Sequence, residues 1–258
     1  MVAKKDEEAE FIPGIFNYCD RWCERCSMTS KCSLFYRESQ RRAEHQEKGE
    51  DPDDWDIVLK DVQDDLQEAI QMCTQMAAEQ GVDLKLLEEE AEVEEEDDVE
   101  QEQKHDVDLS THPLRNKAHA FAMDCHRFLD LFCTLIQEEE RKGVDPAKLT
   151  EVQDCFQIIS WYHMQIAVKI DRALRGNMGS EAEDESWSEA AKSDSDGSAK
   201  VAYLGMTRVL DSLTKVHEWN KALNSDIMPL LNTLYELIDD LNNEFPDHVL
   251  FKRPGFDE

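Results

Sequence analysis

The sequence predicts an all-α protein: a four- to five-helix bundle preceded by a short cysteine-rich metal-binding segment, with two acidic flexible loops. Three observations lead there. Apolar residues recur at helical spacing through most of the chain, and no stretch alternates apolar and polar residues as a half-buried strand does. Four of the eight cysteines fall within 14 residues near the N-terminus. The resulting division places the cysteine segment in residues 1–49, a first helix in 50–87, an acidic linker in 88–109, a helical bundle in 110–246 and a tail in 247–258.

Each helix has recognisable ends. Asp51 followed by Pro52 reads as an N-cap with proline in the first turn. Val58, Leu59, Val62, Leu66, Ala69, Ile70 and Cys73 then recur as one inward stripe until Gly81. Pro113 opens the second helix, whose stripe is Ala118, Phe121, Ala122, Cys125, Phe128, Leu129, Phe132, Leu135 and Ile136, closed by Lys142 and Gly143. Asp145 and Pro146 start a third, carrying Val152, Cys155, Phe156, Ile159, Tyr162, His163, Ile166, Ile170 and Ala173 up to a stop at Gly176. The very short connection makes these two antiparallel neighbours. A fourth helix from about Ser198 to Ala222 points Tyr203, Met206, Leu210, Leu213 and Val216 inward. The fifth begins near Ser225, buries Ile227, Leu230, Leu231, Leu234, Leu237, Ile238 and Leu241, and halts before Pro246.

With 28 basic and 59 acidic side chains, the formal charge is -31. That charge works against sequence-independent binding of nucleic acid or of an anionic membrane surface; a basic partner, a cation or simply good solubility fits better, and a protein partner is expected. Residues 88–108 hold thirteen acids and one lysine, and residues 180–197 hold seven acids and one lysine, so these stretches supply -18 of the total. Neither has a periodic apolar face, which makes both solvated linkers or loops, the second spanning 177–197. No run of 18 apolar residues occurs, and the start MVAKKDEEAEF has no hydrophobic signal region. A cytoplasmic protein is expected, and in a reducing compartment clustered thiols serve as ligands or redox groups.

In FNYCDRWCERCSMTSKCSLFY the spacing is Cys-x3-Cys-x2-Cys-x5-Cys, and Cys19, Cys23, Cys26 and Cys32 are expected to form one metal site. If residues 16–26 are helical, the first three thiols share a face at i, i+4 and i+7, and Cys32 returns from the SMTSK loop. Zinc requires its sulfurs within roughly 4 Å of one another. About 10.5 Å of helical rise separates Cys19 from Cys26 if the helix is unbroken. Zinc therefore needs a broken helix, and an iron-sulfur cluster tolerates an intact one better. Zinc is placed first and an iron-sulfur cluster second. Cys-x3-Cys-x2-Cys also occurs in radical S-adenosylmethionine enzymes, but those build it on an α/β barrel that this helical chain does not encode. The wording YCDRWCERC, followed by a threonine-serine loop and a further cysteine, resembles the N-terminus of an uncharacterised bacterial helical protein family. The resemblance covers about a tenth of the chain and implies no activity.

A second metal site is the only other constellation on offer. It would use His119, His126 and Asp130 on the second helix with His163 and His217 from the next two. Asn116, Met123, Ser160 and Thr214 precede the four histidines by three residues, so the Glu-x-x-His pairs of a di-iron bundle are missing. Satisfied core histidines are the plainer expectation. Cys73, Cys125, Cys133 and Cys155 read as inert core thiols, and Met72, Met76, Met123, Met164, Met206 and Met228 as core filling. No G-x-S-x-G, P-loop, Rossmann glycine pattern or H-E-x-x-H occurs. The sequence thus points to a metal-binding structural or protein-interaction module. The alternative is a redox or hydrolytic metalloprotein acting through the cysteines or the histidines.

Overall fold

The structure, a computed structural model, describes residues 10–81, 109–179 and 185–257. Most of the acidic linker at 88–109, and residues 82–87 of the expected first helix, lie outside them. Among the described residues the chain forms six α-helices and no strand. They are α1 (Ser33–Lys48), α2 (Trp55–Gln80), α3 (Pro113–Arg141), α4 (Pro146–Gly179), α5 (Glu185–Trp219) and α6 (Asn224–Glu244). The all-α bundle expected from periodicity is borne out. No helix among the described residues is long and apolar enough to cross a membrane. The chain divides into two compact units that alternate along it, with Ile12–Cys26 and the residues from Leu109 onward in one and the described residues of Ser27–Val107 in the other.

One unit is a four-helix bundle of α3 to α6 that also includes Ile12–Cys26. Each helix packs on two others, α3 on α4, α4 on α5, α5 on α6 and α6 back on α3. Its core draws largely on the stripes named above: Phe121, Cys125, Phe128 and Phe132 from α3, Ile159, Tyr162, Ile166 and Ile170 from α4, Met206 and Leu213 from α5, and Leu230, Leu234 and Leu237 from α6 are buried; in α5 Val209, outside the expected stripe, is buried while Tyr203 and Leu210 are half-buried. The helix starts follow local chemistry. Pro113 occupies the first turn of α3, where its missing N–H is no loss, and the Asp145 carboxylate accepts the Ala147 N–H at 3.0 Å to start α4. Gly143, at φ 74, terminates the α3 end in the left-handed region.

Two helices run further than the sequence suggests. α4 continues through Gly176 to Gly179. Gly176 is a contact glycine: a Cβ there would stand 3.1 Å from the Ala191 carbonyl oxygen and 3.1 Å from Ser195 Cβ. α5 begins at Glu185, so residues 185–197 of the expected acidic loop are helical. A small-residue face explains this. Ser195, Ser198 and Ala199 are buried, the Ser195 hydroxyl donates to the Ala173 carbonyl at 2.8 Å, and charged side chains of the stretch are paired. The Arg172 Nε donates to Asp194 at 3.0 Å, and Lys192 pairs with Asp247 at 2.9 Å.

Gly197 forms a pit for two aromatic rings. A Cβ at this position would stand 2.5 Å from Tyr18 Cδ1 and 2.7 Å from Phe251 Cζ. Tyr18 and Phe251 meet edge-on at 4.7 Å between centroids, and the Tyr18 hydroxyl donates to Asp194 at 3.1 Å. The C-terminal tail is thereby part of the bundle, with His248 buried in it.

The other unit contains α1 and α2 and is built differently. The sequence indicates no helix where α1 stands. It starts where the Cys32 thiol accepts the Phe35 N–H and ends at Gly49, at φ 76. In α2 the cap is Asp54, three residues later than expected, because its carboxylate accepts the Asp56 N–H at 2.9 Å; Gly81 is the stop, as read from the sequence. Ionic contacts join the two helices: Arg41 with Asp65, and His45 with Asp61 at 3.0 Å. His45 is the one buried side chain among this unit's described residues. The α2 stripe expected in a core is on the surface.

His45 and His248 give the two units opposite pH dependence. The His45 ring nitrogens lie 2.7 Å from Glu50 and 3.0 Å from Asp61, and these carboxylates raise its pKa above the ordinary value while that of Glu50 falls. Its contribution is complete below about pH 6.5 and is lost as pH rises through the raised value. Burial and then the Lys200 charge lower the His248 pKa, so its contribution is complete above about pH 6.5 and is lost as pH falls through the lowered value. NMR titration of the histidine side chains should give midpoints on opposite sides of the ordinary value. A second expectation is that Gly197→Ala lowers the unfolding free energy by about 1–3 kcal/mol through overpacking, read by chemical denaturation; an unchanged midpoint would mean the two rings do not depend on the pit.

Candidate functional site

The cysteine segment is not one α-helix. It consists of two 3-10 turns, Ile15–Asn17 and Cys23–Arg25, with Arg21 between them at φ 56. The break is local chemistry. The Asp20 carboxylate accepts the Trp22 N–H at 3.1 Å, an Asx turn that competes with helical bonding. Cys19, Cys23 and Cys26 therefore do not share an α-helical face, and the helical objection to zinc loses its premise. Cys23 opens the second turn and Cys26 caps it, with the Cys26 N–H donating to the Cys23 carbonyl at 3.2 Å. Positions i and i+3 of a 3-10 turn eclipse one another, which sets this Cys-x2-Cys pair over one side of the turn. The Cys19 thiol donates to the Phe16 carbonyl at 3.5 Å, and burial raises its pKa. Cys32 belongs to the unit of α1 and α2, where it caps α1. Among the described residues no group of three or more His, Cys, Asp or Glu side chains is gathered as a shell that could hold a metal ion.

The segment from Tyr18 to Arg25 is anchored on α4 and α5 by residues that sequence reasoning passed over. Asp20 is central. Its backbone carbonyl accepts from Trp161 Nε1 at 2.9 Å and from Gln165 Nε2 at 2.6 Å. Its carboxylate accepts from the Tyr162 hydroxyl and pairs with Arg208 at 2.5 Å. Trp22 stacks on Trp161 with centroids 5.0 Å apart, Arg25 lies over the Trp22 ring at 4.0 Å, and its guanidinium pairs with Asp154 at 2.6 Å. The available signal was the aromatic and charged content of YCDRWCER. Spacing alone does not show that these side chains dock on other helices.

Among the described residues, the structure does not gather the five residues of the candidate second site into one ligand set. His119 meets Asp171 across the α3–α4 contact at 3.1 Å. His126 is exposed and stacks on the buried His163 with centroids 5.9 Å apart. Parallel stacked rings do not aim their nitrogens at a common point. His163 Nδ1 lies 2.9 Å from the carbonyl oxygen of Ser160 in its own helix, and burial lowers its pKa. Asp130 is exposed and His217 sits half-buried at the end of α5.

Of the remaining cysteines, Cys125 and Cys155 are buried as expected. Burial raises both thiol pKa values, as it does for inert core thiols. Cys133 is half-buried and Cys73 is exposed. Met206 fills the core, but Met72, Met76, Met123, Met164 and Met228 are on the surface. Periodicity placed these residues on or beside the apolar stripe without revealing which stripes are covered. Compared with protein families, curated proteins and solved structures, the chain matches none.

Asp20→Ala removes the acceptor of a hydroxyl on Tyr162, a fully buried residue, which costs about 1–3 kcal/mol. The segment should then open locally, and tryptic cleavage after Arg21 and Arg25 should accelerate while the bundle retains its helical circular dichroism. Equal cleavage rates in the variant and the parent would show that the anchor lies elsewhere.

Proposed function

We propose that this is a metal-binding helical interaction module, with Cys19, Cys23, Cys26 and Cys32 as the donors and zinc as the metal. The observation that carries the proposal is the 3-10 turn from Cys23 to its Cys26 cap, a Cys-x2-Cys pair of the kind structural zinc sites use. The donor set is all thiol, which suits zinc or an iron-sulfur cluster and disfavours magnesium or calcium. Cys23 and Cys26 fit as a chelating pair. Cys19 would exchange its bond to the Phe16 carbonyl for a metal bond, and Cys32 is the donor expected from the sequence spacing. When bound, the metal would supply covalent-strength restraint to a segment otherwise ordered by short turns. The docking of Trp22 and Arg25 on α4 supports a structural role, because it presents these turns on a rigid support.

Metal analysis and an absorption spectrum of protein purified without oxygen test this. About one colourless zinc ion per chain is expected, lost in Cys23→Ser together with Cys26→Ser. Brown colour with iron and labile sulfide would replace zinc by a cluster and favour redox chemistry. Absence of any metal, with all four thiols alkylated in the native protein, would overturn the proposal.

A further inference from the structure

In α2, Trp55, Leu59, Val62, Leu66, Ala69, Cys73 and Met76 follow one another at intervals of four and three residues. This is an unbroken a/d heptad pattern over about three heptads, the length at which a coiled coil begins to be indicated. The seam is open. Leu59, Val62, Leu66 and Met76 are between 51% and 61% exposed, and Trp55 is 71% exposed. α1 approaches through Asp61 and Asp65, beside the seam and not over it. In proteins most helical stability comes from packing of an amphipathic face, and the described residues of this unit bury no apolar side chain.

We infer that the occupant of this seam is α2 of a second copy of the chain, in a two-stranded coiled coil. Charge supports self-pairing. Every acid of α2 lies off the a and d positions. In parallel register the flanking g and e positions bring Val58 to Gln63, Asp65 to Ile70 and Met72 to Ala77, so no acid faces an acid. The two acids nearest α1, Asp61 and Asp65, are already matched by His45 and Arg41. A basic foreign helix would find little charge to meet along Ile70, Met72 and Ala77, where the flanks are apolar. The seam selects a surface of its own kind, and the inference supplies the partner for the interaction module proposed above.

The full chain should sediment at twice its mass of 29.9 kDa at tens of micromolar, and Leu66→Glu should return it to the monomer mass. The Cys73 thiol is exposed in the single chain and lies on the seam, so its alkylation rate should fall several-fold as the parent protein is concentrated, with no such fall in Leu66→Glu. This second measurement uses the parent chain and holds even if the variant unfolds α2. A monomer mass across that range, or a dimer in which Cys73 alkylates independently of concentration, would overturn the inference. Metal content is measured on the same sample, so failure here leaves the metal proposal standing, and the converse.

Discussion

The close approach of α4 to α5 is the contact on which the bundle unit depends. It is possible because α5 turns Ser195, Gly197, Ser198, Ala199, Ala202 and Gly205 inward, residues with little or no side chain to separate the backbones. Glycine within a helix costs roughly 0.5–1 kcal/mol relative to alanine. Close packing of the rings it admits offsets that cost. Gly205 lies under Tyr162 and Ile166, and Gly197 under Tyr18 and Phe251. The same helix face therefore seats α4, the cysteine segment and the C-terminal tail. The extension of α5 back to Glu185 follows from this, since two of those six residues, Ser195 and Gly197, lie in sequence that composition alone marks as loop.

Asp20 connects this packing to the chemistry of the cysteine segment. Ion pairs between exposed side chains contribute about 0–1 kcal/mol each, and most pairs in this acidic protein are of that kind. Asp20 differs because one of its partners is the hydroxyl of a buried tyrosine and because its backbone carbonyl also accepts two bonds from α4. It breaks the helical path at Arg21 and docks the segment at the same place. The turn that follows sets Cys23 and Cys26 as a pair.

The two units represent different ways of holding helices. The bundle buries four apolar stripes against one another. The pair of α1 and α2 relies on arginine, histidine and aspartate contacts and leaves its apolar stripe in solvent. That exposed stripe is the surface the proposed pairing of two copies would cover.

Local chemistry made much of the fold legible in the sequence. Proline and aspartate at helix starts and glycine at φ above zero act within a few residues, so Pro113, Asp145, Gly81 and Gly143 mark helix ends correctly. Periodicity identified the amphipathic helices and most of the bundle core, though not Val201, Ala202 and Val209 of α5, and the cysteine spacing drew attention to the segment that docks on it. What covers each stripe was decided only in three dimensions. The α2 stripe and the α3 stripe look alike in sequence, yet one is exposed and the other buried, because amphipathicity describes a helix and burial describes its neighbours. Residues 185–197 become helical through contacts with α4, the cysteine segment breaks through an aspartate side chain, and His126 meets His163 across two helices while His119 pairs with Asp171. Those outcomes depend on residues far apart in the chain or on a side chain competing with the backbone, and neither is encoded in spacing.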